Sequence, residues 1–193
     1  MEKRGKTGLA AATLIFTSVI GAAAWPARQQ ESEPKPESAS KAAPEMQRLN
    51  FYLGEWEYTE SYPKSAAFPE GAKNSGVYTS KMGPGGNSLI NRFHSKGPAG
   101  EFEGLLVMTW DPREKAYKSY VFGDGFPGAL VETGQFEGDA LVFRSELSAG
   151  GGTVKVRNVT RLVGPGRLVS EQYSSVKDGA EKLFVSVDAR KRQ

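Results

Sequence analysis

The stretch NFYLGEWEYTESY, Asn50 to Tyr62, carries two periodicities that belong to different elements. Leu49, Tyr52 and Leu53 recur at helical spacing. After Gly54 the residues Trp56, Tyr58, Glu60 and Tyr62 share one parity, which is the spacing of a strand. A short helical turn therefore runs straight into a strand through a glycine, with a tryptophan two residues on.

Downstream of this junction, turn residues recur about every ten to twelve positions, the rhythm of an all-β sandwich or barrel. The segments between them predict ten strands, at roughly 54–62, 74–82, 87–95, 101–110, 116–123, 128–136, 139–147, 153–163, 167–175 and 181–190. MGPGGN, KGPAG, DPREK, GDGFPG, EGD, AGGG, GPG and KDG separate them, each placing Gly, Pro, Asp or Asn where the backbone reverses. Ten strands on short connections make an antiparallel up-and-down meander. A meander of that length closes on itself, because closure removes its unpaired edges.

Alternation within the strands supports a cylinder with one apolar face. TVKVRNVTRLV sets Val154, Val156 and Leu162 against Lys155, Arg157 and Arg161. LINRFHS sets Leu89, Asn91 and Phe93 against Ile90, Arg92 and His94, and DALVFRSEL sets Leu141, Phe143 and Leu147 against Arg144 and Glu146.

Upstream, a short helix is predicted to begin near Pro44, carry Met46, Leu49 and Leu53 inward and end at Gly54. Trp25 to Pro44 reads WPARQQESEPKPESASKAAP, too polar to bury surface against its chain entropy, so residues 25–44 are expected to be a disordered tether. Residues 1–24 have the form of a secretory signal: Lys3, Arg4 and Lys6, then an apolar run from Leu9 to Ile20, then Ala22-Ala23-Ala24 at a cleavage site. The run is shorter than the roughly 20 residues of a membrane span, so no span is expected after cleavage behind Ala24. The expected organisation is a signal at 1–24, a linker at 25–44 and a barrel domain at 45–193, in a secreted or periplasmic protein.

Cleavage would remove three basic residues and the acidic Glu2, taking the formal charge from +3 to +1. That near-neutral balance gives no reason to expect a nucleic-acid partner. Cysteine is absent, which excludes disulfides, thiolate metal sites and a cysteine nucleophile.

The Gly54-x-Trp56 junction after a helical turn resembles the signature of the lipocalin and calycin barrels. GGNSLINRF, FEGLLVMTWDPREKAYKSYVFGD, ETGQFEGDALVF and KDGAEKLFVSVDARKR are similar to successive blocks of domain-of-unknown-function family 1579, a bacterial lipocalin-like group related to the nitrobindin-like barrels. The resemblance covers most of residues 46–192. It implies a helix plugging one end of the barrel, a glycine that lets the chain bend into the first strand, and Trp56 packed across the closed end. It also implies a basic residue of the last strand against the indole, Arg190 or Arg192, and no established activity.

Motifs of chemistry are sparse. Gly123, Gly125 and Gly128 satisfy G-x-G-x-x-G, but a β-like run follows and Pro127 sits inside, so a hairpin at the barrel mouth is expected. His94, the only histidine, cannot form a multi-histidine metal site. The relatives' haem chemistry would need it as an axial ligand, and its parity with Arg92 points outward, so no cofactor is expected. Glu132, Glu171 and Asp188 are carboxylates that would suit acid–base work if two of them met, and surface or salt-bridged roles are the expectation. Asn158-Val159-Thr160 matches the N-glycosylation pattern.

The aromatic residues are the most suggestive set. Tyr78, Phe93, Trp110, Tyr120, Phe122 and Tyr173 are predicted to face a cavity, with Asn91, Arg144 and Glu171 as the polar groups that orient a ligand. Ten strands enclose more space than eight. The expected function is non-catalytic binding of a small, largely apolar molecule in the lumen. An enzyme of hydrolase or isomerase type using a buried carboxylate, or an interaction module with a packed interior, are the alternatives.

Overall fold

The computed structural model describes residues 42–149, 152–176 and 179–193. The expected signal and nearly all of the expected tether lie outside the described residues. Pro44 occupies the first turn of a helix, α1 (Pro44–Gln47), and a 3-10 turn (Asn50–Tyr52) follows. Together they bury Met46, Leu49 and Tyr52. Ten strands come next: β1 (Gly54–Tyr62), β2 (Ala72–Met82), β3 (Ser88–Gly97), β4 (Gly100–Asp111), β5 (Ala116–Gly123), β6 (Phe126–Glu137), β7 (Ala140–Ala149), β8 (Gly152–Gly164), β9 (Arg167–Val176) and β10 (Lys182–Lys191). Every strand pairs antiparallel with its sequence neighbours, and β1 pairs with β10, so the sheet is a closed up-and-down barrel. The predicted strands are all present, with ends within about two residues of expectation.

Burial and register together fix which side chains face inward. Trp56 and Tyr58 are buried, so the even residues of β1 point to the axis. Their partners carry that face onward: Trp56 opposite Tyr78, Tyr78 opposite Phe93, Phe93 opposite Gly104 and Gly104 opposite Gly123. Three inward aromatic rings lie flat against a glycine of the adjacent strand. A Cβ at Gly76 would fall 2.3 Å from the Tyr58 ring, one at Gly104 2.3 Å from Phe93, and one at Gly134 2.5 Å from Phe143. Each glycine is the space that its neighbour's ring fills.

The closed end holds the apolar core, where Met46, Leu49 and Tyr52 pack with Trp56, Leu89, Met108, Tyr117, Leu141 and Leu168. The indole of Trp56 donates to the Tyr52 carbonyl at 2.9 Å, and the Tyr117 hydroxyl donates to the Glu45 carbonyl at 2.8 Å. Both bonds tie the plug to the wall. Gly54 has φ +112°, which only glycine adopts without strain, and a Cβ there would meet Lys191 at 2.7 Å.

The basic residue over the indole is not Arg190 or Arg192. It is Lys191, whose Nζ lies 5.9 Å from the ring centroid. Arg190 is opposite Glu57 on the outer parity, and Arg192 Nε lies 3.9 Å from the Glu57 carboxylate. The expectation failed by one residue, because in a strand one step reverses the face.

Two outcomes test this reading. Gly134→Ala should cost about 1–3 kcal/mol by overpacking against Phe143, and the cost should shrink in a Phe143→Leu background; urea denaturation of the two single variants and the double variant measures that coupling. Trp56→Phe, which orphans the Tyr52 carbonyl, should cost about 2–4 kcal/mol, whereas Arg190→Ala should stay within about 0.5 kcal/mol.

Candidate functional site

Away from the apolar base the interior turns polar. Glu132 of β6 points inward at mid-height and is 4% exposed. Its register partner on β5 is Ser119, which is fully buried. On the other side Ser145 of β7 lies on the inner face one residue beyond the Thr133–Arg144 pair. Asn158 Nδ2, from β8, donates a short hydrogen bond to Glu132 Oε1. Below them Thr160 and Ser170 share a hydrogen bond of 2.8 Å, and Asn91 donates to Ser80 Oγ at 2.8 Å across β3 and β2.

Burial in this interior pushes the Glu132 carboxyl above the ordinary glutamate range, with Ser119 and Asn158 holding it back in part. Among the described residues no cation pairs with it. The hydroxyls of Ser119 and Ser145 are buried and reach no partner at hydrogen-bond distance and angle. Ser119 is nonetheless near enough to Glu132 for its dipole to favour the ionised form.

A second carboxylate, Glu60, faces the lumen from β1 nearer the mouth, accepting from Tyr62 Oη at 3.0 Å and Ser95 Oγ at 3.1 Å. Phenols stand between the two acids. Burial, then Glu60, pushes the Tyr58 hydroxyl up to about 12. Tyr78 is raised by burial, then by Tyr52 and Tyr58, and Tyr52 is raised by burial and in smaller part by Glu132. All three remain neutral hydrogen-bonding groups over any physiological pH. Apart from the exposed Lys191 at the base and the exposed Lys182 at the rim, the inward positions described carry no lysine or arginine.

Of the nine predicted cavity residues, Tyr78, Asn91, Phe93 and Trp110 do face inward. The other five point outward. Tyr120 and Phe122 lie on the outer parity of β5, with Phe122 44% exposed. Arg144 is outside, its guanidinium 2.6 Å from Glu137. Glu171 is outside near Arg161 at 3.7 Å. Tyr173 packs on an outer-face cluster of Ala140, Val142 and Val159, with the Arg157 guanidinium 4.3 Å above its ring. Asp188 is a surface ion pair with Arg167, as expected, while Glu132 is not a surface group. His94 faces outward against Glu101 at 3.0 Å, so the chain's one histidine does not reach the lumen to hold haem there. The GDGFPG glycines form the β5–β6 hairpin at the open end. Asn158, the asparagine of the glycosylation pattern, is inside the barrel and bound to Glu132.

The residues missed were the polar ones. Glu60 shares the parity of Trp56 and Tyr58, a signal present in the opening stretch, and Glu132 shares that of Gly134 and Phe136. A stability measurement checks the buried acid. Its pKa is raised on folding, so the folded state binds the extra proton, and stability should fall as pH rises from about 4.5 through the folded value. Glu132→Gln should flatten that part of the curve; parallel curves for the two proteins would mean the carboxyl does not titrate anomalously.

The family whose model matches residues 41–191 is described as Protein of unknown function (DUF1579). No curated protein matches the chain in sequence. Among solved structures, the fold is similar to that of Rv2717c from M. tuberculosis, 11% identical, with a TM-score of 0.58 over 79% of this chain and 100% of that one. It also matches the S-type phycobiliprotein lyase CPES from Guillardia theta, 10% identical, with a TM-score of 0.48 over 76% of this chain and 92% of that one.

Proposed function

The chain belongs to the DUF1579 family, whose description names no activity, and we propose from its own interior that it binds a small, largely apolar molecule within the barrel. The observation that carries this reading is incomplete burial along the lumen wall. In a filled barrel every inward side chain would be inaccessible, yet Phe93, Val121 and Leu130 face the axis above the base cluster and are only half-buried. Their residual exposure supports an interior that is not filled above the packed base. The mouth is rimmed by exposed apolar groups, Leu147, Val176 and Phe184, the last edge-on to Tyr62 at 6.0 Å. Binding would draw on burial of apolar surface at about 25 cal/mol per Å² before ordering costs. The form of residues 1–24 supports a protein that works outside the cytoplasm.

A second reading has one observation in its favour. Glu60 and Glu132 both face the lumen, and a buried acid with a raised pKa suits general acid catalysis. Binding alone is preferred because each carboxylate is already occupied, by Tyr62 and Ser95 in one case and by Asn158 in the other. Native mass spectrometry and thermal shift with fatty acids, isoprenoids, small aromatics and haem test the binding reading. A one-to-one adduct that raises the melting temperature is expected, and the absence of any stabilising adduct would count against an open lumen.

A further inference from the structure

We infer that the outer face of β9, β10, β1 and β2 carries a docking trough for an extended acidic peptide, two of whose carboxylates stand four residues apart. The trough lies outside the barrel and does not depend on binding in the lumen. Three observations carry it.

The first is the trough itself. The outward side chains of these strands line a groove of about 910 Å³. Its floor is short and its walls are long. Ser186 and Ser61 lie opposite each other in one row, and Thr59 and Ser75 in the next row toward the base. All four end at a hydroxyl, while Arg167, Arg190, Glu171 and Lys73 around them extend several atoms further. Tyr58, Gly76 and Val187 also line the groove, but they belong to the inward parity, so it is their main chain that the groove meets.

The second is the charge left over. Each carboxylate of the groove already has a guanidinium beside it: Asp188 has Arg167 at 2.6 Å, Glu171 has Arg161 at 3.7 Å and Glu57 has Arg192 at 3.9 Å. At one flank His94 and Lys96 share Glu101. Lys73 and Arg190 line the groove and form no ion pair among the described residues. The Arg167 bond holds the Asp188 carboxyl below its ordinary range, and Arg190 adds to that field without making contact. The uncommitted charge at both ends of the trough is therefore positive, which selects an anionic partner.

The third is the spacing. Lys73 is opposite Ser61 and Arg190 is opposite Glu57, so the two cations stand two strands and four residues apart. At about 4.8 Å per strand and 3.3 Å per residue, their Cα atoms are roughly 16 Å apart on a diagonal of the sheet. In an extended peptide residues i and i+4 share a face and lie about 13 Å apart, a difference that long, flexible side chains close. Between the two cations the hydroxyl floor offers donors and acceptors to the N–H and C=O groups of the peptide. No phenyl, phenol or indole ring faces the groove from outside, so a nucleic-acid base finds no stacking platform there.

Amide NMR titration of the full chain with five-residue peptides, blocked at both ends, tests the assignment. The probes are Glu-Ala-Ser-Ala-Glu, its Gln-Ala-Ser-Ala-Gln and Lys-Ala-Ser-Ala-Lys counterparts, the isomer Glu-Glu-Ala-Ser-Ala, and pentathymidylate. The first peptide is expected to shift the amide signals of Thr59, Ser61, Ser75 and Ser186. It should bind about tenfold more tightly than the glutamine peptide and about threefold more tightly than the isomer, and the lysine peptide should not bind. Lys73→Gln with Arg190→Gln should reduce it to the level of the glutamine peptide. Both side chains are exposed, so the variant should keep the parent's melting temperature. Shifts centred on other strands, equal binding of the isomer, or pentathymidylate binding as tightly would overturn the assignment. Failure of the first peptide to bind would overturn it outright and leave lumen binding untouched.

Discussion

Pairing of the first strand with the last is the constraint on which everything else depends. β1 and β10 meet through six register pairs, from Trp56 opposite Lys191 to Ser61 opposite Ser186, across nearly the whole length of the domain. Without that seam the sheet would have two open edges and no inside, and Glu132 would be one more glutamate on a half-buried face. The seam is locked at its base by local bonds. Trp56 reaches back to the carbonyl of Tyr52, and the plug it holds is tied from the far wall by Tyr117. The longest-range contact of the fold is thus stabilised by an interaction spanning four residues.

Once closed, the barrel divides its interior by height. The base is apolar and packed, the middle carries acids, amides and hydroxyls, and the wall above Glu132 carries Val121, Leu130, Leu147 and Val154. Burying the mid-height acid is unfavourable: desolvation raises the Glu132 carboxyl above its ordinary range, and Ser119 and Asn158 offset that in part. Polar groups that destabilise the fold are expected where a site needs them.

How much of this was legible in the sequence follows from where the hydrophobic period is clean. β3, β7 and β8 alternate sharply, and apart from Arg144 of β7 their inward residues are legible, Asn91 and Phe93 among them. β5 and β9 do not alternate. In β9 the lumen face is Leu168, Ser170, Gln172 and Ser174, while the outer face carries Val169 and Tyr173, so a search for aromatic residues selects the wrong side. In β5 the inward Ser119 is polar and the outward Phe122 is apolar, again inverting the usual sign. The parts of the wall whose polarity matters for a ligand are those where the period disappears, because a polar lumen and a polar exterior look alike at spacing two. The outer cluster under Tyr173 adds an apolar outward face that no periodicity announces. Arg144 is a different kind of miss, since the alternation of its own strand already set it against Phe143.

The glycines at 76, 104 and 134 bear on the calibre of the lumen. Because Tyr58, Phe93 and Phe143 recline on the neighbouring backbone instead of projecting to the axis, the width of the bore is governed by strand number and tilt, and hardly by the size of those rings. Trimming one of them would scallop the wall sideways without widening the shaft. Divergence among barrels of this design can therefore remodel lateral niches while the central clearance stays constant.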